Sequence, residues 1–402
     1  MPAGPAALTI LPALRRALAG GGPVLLPVPT AGPGRVTEPD LSPLAPDEDD
    51  PDNPTALVVS TSGSTGDPKG ALLPVSALRA SAAATQDRLG GAGSWLLALP
   101  GQHIAGLQVL IRSILAGTAP VVMDLREGFS ANSFIASTHE LTRQAGTGRR
   151  YTSLVPTQLT RLLEAGGDAV EALASYDGVL VGGAATTPAA GQRARAADVA
   201  VVTTYGMSET CGGCVYGGRP LPGVSWRTDD GGRVELGGAV VARGYRGRPR
   251  DPAFRLDPDG SRWFRTDDIG ETGPDGTLQI IGRLDDLIVT GGLKVSPALV
   301  EAALAGTPGI RDVVVVGVPD RDWGERVVAV VVPEPASGDG GAPGSASPGP
   351  RLAAIHQRVA DQLAPYAAPR QLVLVDEIPL LGPGKPDRMA LRALAARARP
   401  GG

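Results

Sequence analysis

Lysine is nearly missing from this sequence: of 37 basic residues, only Lys69, Lys294 and Lys385 are not arginine. A chain that uses arginine by default keeps lysine where a compact ammonium on a flexible stem is needed, because the two are not interchangeable at point-charge sites. Cysteine is scarcer still. Cys211 and Cys214 stand in a CGGC run, with only His103, His139 and His356 to join them. That is too few ligands for the four-coordinate zinc sites such pairs usually build, so the two read as small residues in a Gly-rich turn. No basic stretch occurs, and the formal net charge is −4, which removes the electrostatic footprint of a nucleic-acid binder. Nor is there a long apolar run. The first 30 residues are apolar and Pro-rich, but they lack a basic start and are broken by Arg15 and Arg16. They read as neither a signal peptide nor a membrane span, which predicts a cytoplasmic protein.

What remains is a chain of 402 residues, 42% apolar and 19% charged. That is long enough for two or three domains and typical of a globular protein of small-molecule chemistry. Its 56 glycines and 38 prolines predict many tight turns and loops that carry function. Residues 56–242 alternate β-rich runs with helical or turn segments: ALVVS then PVSALRASAAATQDRL, GLQVLIRSILAG then APVVMDL, YTSLV then PTQLTRLLEAG, YDGVLV, ADVAVVTTYG. This predicts parallel sheets covered by helices. Residues 232–282 read as short strands punctuated by Gly and Asp, a small β-rich subdomain. After Arg283, PALVEAALAG reads as a helix, VVVVGV and RVVAVVVPE as strands, RLAAIHQRVADQL as a helix and RQLVLVDEI as a strand. The expected fold class is therefore α/β: a large N-terminal part, residues 1–284 with the β-rich subdomain at about 225–284, followed by a compact α+β domain, residues 285–402. The segment ASGDGGAPGSASPG is too rich in Gly, Ser and Pro to pack and is expected to be a mobile surface loop. No internal repeats are visible.

The strand ALVVS runs straight into TSGSTGDPKG, residues 61–70. Backbone N–H groups of such a loop can turn toward phosphate oxygens, with hydroxyls and Lys69 adding donors. It is not the loop of nucleoside triphosphatases, which needs Gly-Lys-Ser/Thr opening a helix. The run resembles the phosphate-loop signature of the adenylate-forming superfamily of acyl-CoA synthetases, luciferases and peptide-synthetase adenylation domains. Five further signatures resemble that family in order: VLVGGAATTP, TTYGMSET, WFRTDDIG, GRLDDLIVTGG and PLLGPGKPDR. Together they cover residues 56–390, nearly the whole chain.

The resemblance implies ATP, Mg²⁺ and coenzyme A as reaction partners. It assigns ATP contacts to Thr61, Ser62, Gly63, Ser64, Thr65, Gly66 and Lys69, to Gly183 and Ala184 beside the adenine, and to Tyr205, Gly206, Ser208, Asp268 and Arg283. Glu209 is then the metal ligand, in keeping with the one or two protein carboxylates that Mg²⁺ commonly takes. Lys385 is the catalytic lysine of the first half-reaction. Asp285 is the hinge, and Gly291, Gly292 and Lys294 stand on the thiol side. In place of the family's Thr-Gly-Asp this chain has Thr266-Asp267-Asp268, and Asp267 is expected to face solvent.

For the acid, the segments around His103, Ser153, Gly206 and Met207 are similar to those of the 2-succinylbenzoate–CoA ligases of menaquinone biosynthesis, the compact actinobacterial type in particular. His103 reads equally as a cap of the following helix. Arg112, Ser153 and Thr157 are candidates to meet a second carboxylate, though Arg112 reads equally as a surface residue. Three other readings stay open: a ligase for another aryl or acyl acid, a stand-alone adenylation enzyme loading a carrier protein, and a non-catalytic acyl-adenylate-binding protein, which would be expected to lack Lys385 or Glu209. No carrier domain follows Lys385. The partners expected are small molecules, without nucleic acid or membrane, and a homo-oligomer is allowed.

Overall fold

The computed structural model describes residues 4–28, 42–61, 69–334, 350–381 and 385–398. The Gly/Ser/Pro-rich segment read as a mobile loop lies outside them, as does the phosphate loop from residue 62 to 68. Packing divides the chain into two units. The first holds residues 1–186, 190–266 and 272–279; the second holds 187–189, 267–271 and 280–402.

In the first unit, β1 (Thr55–Thr61) and β2 (Lys69–Pro74) pair antiparallel, with Thr61 opposite Lys69. The phosphate loop therefore joins two neighbouring strands, and the helix expected after it, α1 (Val75–Arg88), begins only after β2. A seven-stranded sheet forms the centre. Its strands in chain order are β3 (Gly93–Leu97), β4 (Val121–Val122), β5 (Arg149–Leu154), β6 (Gly178–Val181), β7 (Val201–Met207), β8 (Gly212–Tyr216) and β9 (Arg219–Pro220). They lie side by side as β4-β3-β5-β6-β7-β8-β9. The first five run parallel, while β8 folds back on β7 and β9 on β8.

Strand alternation splits this sheet between two cores. Trp95 and Leu97 of β3 and Leu180 of β6 pack on one face with α1 and α2 (Ile104–Leu115). Leu96, Val179 and Val181 pack on the other with α3 (Ala131–Ala145), α4 (Pro156–Ala165) and α5 (Gly167–Ala174). A further helix, α6, spans Pro188–Ala196. Pro156 opens α4 at the first turn, where a missing N–H costs nothing. The β-rich stretch follows as β10 (Val224–Thr228), β11 (Arg233–Gly238), β12 (Gly244–Tyr245), β13 (Phe254–Leu256), β14 (Arg262–Thr272) and β15 (Leu278–Arg283). One of these leaves its neighbours: β12 pairs with β2, setting Tyr245 opposite Ala71.

The second unit carries β16 (Ile288–Thr290), β17 (Leu293–Val295), β18 (Ile310–Asp320), β19 (Gly324–Pro333) and β20 (Gln371–Leu374), in the order β17-β16-β19-β18 with β20 parallel to β19. Its valine runs are near-continuous because both faces are covered. Val315, Val327, Ala329 and Val331 meet α7 (Pro297–Leu304) and α8 (Leu352–Gln362), while Val314, Val316, Val328 and Val330 meet α9 (Arg388–Arg397). Among the described residues no helix is long and apolar enough to cross a membrane.

Candidate functional site

The candidate residues of the first unit gather at the C-terminal ends of the parallel strands, where open α/β sheets place their ligands. Gly183 and Ala184 follow β6 and are exposed. Tyr205, Gly206 and Met207 end β7, and Ser208 and Glu209 form the helical turn beyond it. A Cβ at Gly206 would collide with the Gly212 carbonyl across the hairpin, so the β7–β8 approach demands glycine. The turn is fixed from inside. Thr210 Oγ1 accepts from Met207 N at 3.0 Å, and the Cys211 carbonyl accepts from Ser81 Oγ at 3.1 Å and Gln108 Nε2 at 2.7 Å.

Glu209 is buried at 7% exposure, and Tyr245 donates its hydroxyl to Glu209 Oε1 at 2.6 Å. Lys69 Nζ lies 4.6 Å from the centre of the same tyrosine ring and 3.6 Å from Asp251 Oδ2. The strand pairing of β12 with β2 thus brings together Lys69 from the phosphate loop and Glu209 from the end of β7. Tyr245 and Asp251 were absent from the sequence reading. Their signal is a lone tyrosine followed by an acid in GYRGRPRD, informative in a chain only 3% aromatic. Thr61 flanks the loop opposite Lys69, whereas Ser62, Gly63, Ser64, Thr65 and Gly66 lie outside the described residues.

His103 occupies the N-cap position of α2 and is exposed, and its side chain makes no capping bond to that helix. Ser153 is buried in β5 opposite Leu180, and Thr157 is half-buried in the first turn of α4. Arg112 is not the surface residue that one reading allowed. It is 6% exposed and donates to Thr85 Oγ1 and the Tyr216 hydroxyl. It stands nine positions after His103, roughly 13 Å along the axis, and its surroundings are the opposite end of the sheet.

Cys211 and Cys214 are fully buried. Burial pushes the Cys214 thiol up to about 12 and that of Cys211 upward as well, so both stay protonated. Among the described residues no group of three His, Cys, Asp or Glu converges to hold a metal. A divalent ion at Glu209 would draw on one hard carboxylate and on phosphate oxygens, the donor set that suits Mg²⁺.

In the second unit the candidates form a charge cluster. Arg283 donates to Asp285 Oδ1 at 2.9 Å and to Asp268 Oδ1 at 3.3 Å, and lies 3.9 Å from Asp267. Burial works against its charge, but these acids together hold the guanidinium above its ordinary range. Asp268 is buried and Asp267 exposed, as alternation along β14 requires. Gly291 and Gly292 are the two-residue turn between β16 and β17, with φ of 57° and 79°. Two successive positive φ values are what glycine supplies without strain. Lys294 follows, exposed on β17. Lys385 opens a two-residue strand, β22 (Lys385–Pro386), whose partner β21 (Leu380–Leu381) sets Leu381 opposite it.

The family model described as AMP-binding enzyme matches residues 18–245, and that of the AMP-binding enzyme C-terminal domain matches residues 299–385. The chain belongs to the AMP-binding enzyme family. Within it, a probable 2-succinylbenzoate–CoA ligase of Mycobacterium tuberculosis is 47% identical over 398 residues, 97% of this chain and 96% of that protein. Among solved structures of AMP-binding enzymes, the o-succinylbenzoate CoA synthetase of Bacillus subtilis in complex with its acyl-adenylate intermediate aligns with a TM-score of 0.69 and 26% identity. The alignment covers 87% of this chain and 70% of that one. The same synthetase with ATP and magnesium ion aligns at 0.67 and 26%, covering 84% and 70%.

Proposed function

We propose that the protein is an AMP-forming acid–CoA ligase whose acid is 2-succinylbenzoate. The observation that supports this most is the near-full-length likeness to the mycobacterial ligase, joined to the meeting of Lys69, Tyr245 and Glu209 at the strand ends. The substrate carboxylate attacks the α-phosphorus of ATP and pyrophosphate leaves, giving a mixed anhydride. The thiol of coenzyme A then attacks the acyl carbon and AMP departs.

In this reading Ser208 meets the α-phosphate, Tyr205 lies against adenine, and Asp268 accepts from the ribose hydroxyls with Arg283 beside it. Glu209 would hold Mg²⁺, which when bound supplies positive charge against the triphosphate. His103, Ser153, Gly206 and Met207 would line the acid. Lys385 stabilises charge as pyrophosphate leaves, and Gly291, Gly292 and Lys294 serve the thiol. The division at 284/285 with Asp285 as hinge, and a cytoplasmic location, belong to the same proposal.

The test is a panel of acids given to the purified chain with ATP, Mg²⁺ and CoA, with the thioester and AMP both measured. 2-Succinylbenzoate is expected to give its CoA thioester fastest. Faster thioesters from medium-chain or cinnamate-like acids would overturn the substrate, and AMP without thioester would overturn the thiol.

A further inference from the structure

Arg112 is a buried cation without a buried anion. Its Nη2 meets two neutral hydroxyls, at 3.2 Å on Thr85 and 3.4 Å on Tyr216, and its guanidinium carbon stands 5.0 Å from the centre of the Trp95 ring. Nε is buried with no hydrogen-bond partner, Nη1 makes no hydrogen bond, and no carboxylate among the described residues lies within ion-pair distance. Burial pulls the group below its usual pKa. Two acids withdrawn from solvent are answered by charge: Glu235 is paired with Arg227 at 2.8 Å and with Arg255, and Glu301 with Arg388 at 2.9 Å. An uncompensated buried ion is costly, and where Glu235 and Glu301 have guanidinium partners Arg112 has two neutral hydroxyls, so its charge is left for an external anion to answer.

Arg112 forms part of the wall of a cavity of about 270 Å³, near the lower end of small-ligand sites. The wall is mostly apolar, with Trp95, Tyr151, Ala82 and Leu115, and Arg79 and Asp87 stand at its exposed rim with opposite signs. The net charge presented is therefore that of Arg112. The cavity lies toward the starts of β3 and β5, at Gly93 and Tyr151, whereas Gly183, Tyr205 and Glu209 lie at or just beyond the ends of β6 and β7. It is a different place from the candidate site of the same unit.

We propose that this cavity is a second binding site, for a small carboxylate with an apolar, planar body: the carboxylate answers Arg112 and the body packs against Trp95. The inference does not depend on which acid the enzyme activates.

The test follows the indole N–H signals of the four tryptophans in the full chain by NMR, with Trp95 assigned by Trp95→Phe. Benzoate is the probe, benzamide its neutral counterpart, and inorganic phosphate a compact anion. Benzoate is expected to move the Trp95 signal saturably, while benzamide and phosphate leave it in place. Arg112→Met should weaken that response roughly tenfold or more. Ala83→Phe, at an exposed residue of the cavity wall, should abolish it with Arg112 intact and the core untouched. Benzoate bound only at the activation site would leave the Trp95 signal unmoved and overturn the proposal. So would equal responses to benzamide or phosphate, or a response that survives Ala83→Phe.

Discussion

Glu209 in the first unit takes a hydrogen bond from a neutral phenol at 2.6 Å, whereas Asp268 in the second takes one from the Arg283 guanidinium at 3.3 Å, a cation it shares with Asp285. The two acids are buried to a similar degree, at 7% and 8% exposure. A phenol orients a carboxylate without bringing a positive charge to it. A guanidinium brings its acid a positive charge as well as a donor. In the function proposed above, the first acid meets a metal ion and the second the ribose hydroxyls.

The largest expected effect, at a lysine of the second unit, separates the two half-reactions. Lys385→Ala should remove transition-state stabilisation from adenylation, a loss on the order of 3 to 4 kcal/mol or a hundred- to a thousandfold in rate. Transfer to CoA from a supplied acyl-adenylate should stay near wild type. Single-turnover pyrophosphate release and thioester formation measure the two, and equal damage to both would break the assignment of this lysine to the first step.

A smaller effect bears on Glu209 itself. Glu209→Gln keeps an oxygen that can accept from Tyr245 but loses the charge. The fold should persist, with the magnesium needed for half-maximal adenylation rising roughly ten- to hundredfold. An unchanged magnesium titration would remove Glu209 from the metal site and erase the contrast with Asp268. The least effect is expected at the position beside that second acid. Asp267→Asn alters an exposed side chain 3.9 Å from Arg283, so stability should move by no more than about 0.5 kcal/mol in a thermal melt and the KM for ATP should hardly change. A large change in that KM would mean that Asp267, not Asp268 alone, sets the charge at Arg283.

Where periodicity was strong, the fold could be read from residues alone. The valine runs of β18 and β19 and the alternation of strands with helices through β7 are such cases. α3 was not: its buried face is Phe134, Thr138 and Leu141, and the middle residue is polar, buried only because it bonds Phe134 O and the Tyr176 hydroxyl. α9 hid differently. Its N-cap, Asp387, accepts from Ala390 N but sits in the lysine motif, and its buried face is one leucine and one alanine, Leu391 and Ala395. The hairpin of β1 and β2 around the phosphate loop was equally hidden, since a loop of that composition can lead into a helix or a strand. Glu209 was singled out from its motif. Tyr245 was not, because what makes it matter is the pairing of β12 with β2 across more than 170 residues of chain, and no local pattern encodes a long-range partner.

The Cys211 carbonyl accepts from Ser81 on α1 and Gln108 on α2, and this has a consequence for timescales. Neither donor is reached by solvent, so the turn bearing Glu209 can loosen only if two helices part from the sheet with it. Motions of that kind belong to the cooperative opening of a whole packed unit, not to the fraying of a loop. Amide protons along Glu209–Cys211 would therefore exchange at the pace of global unfolding, and the carboxylate would keep its place through every turnover.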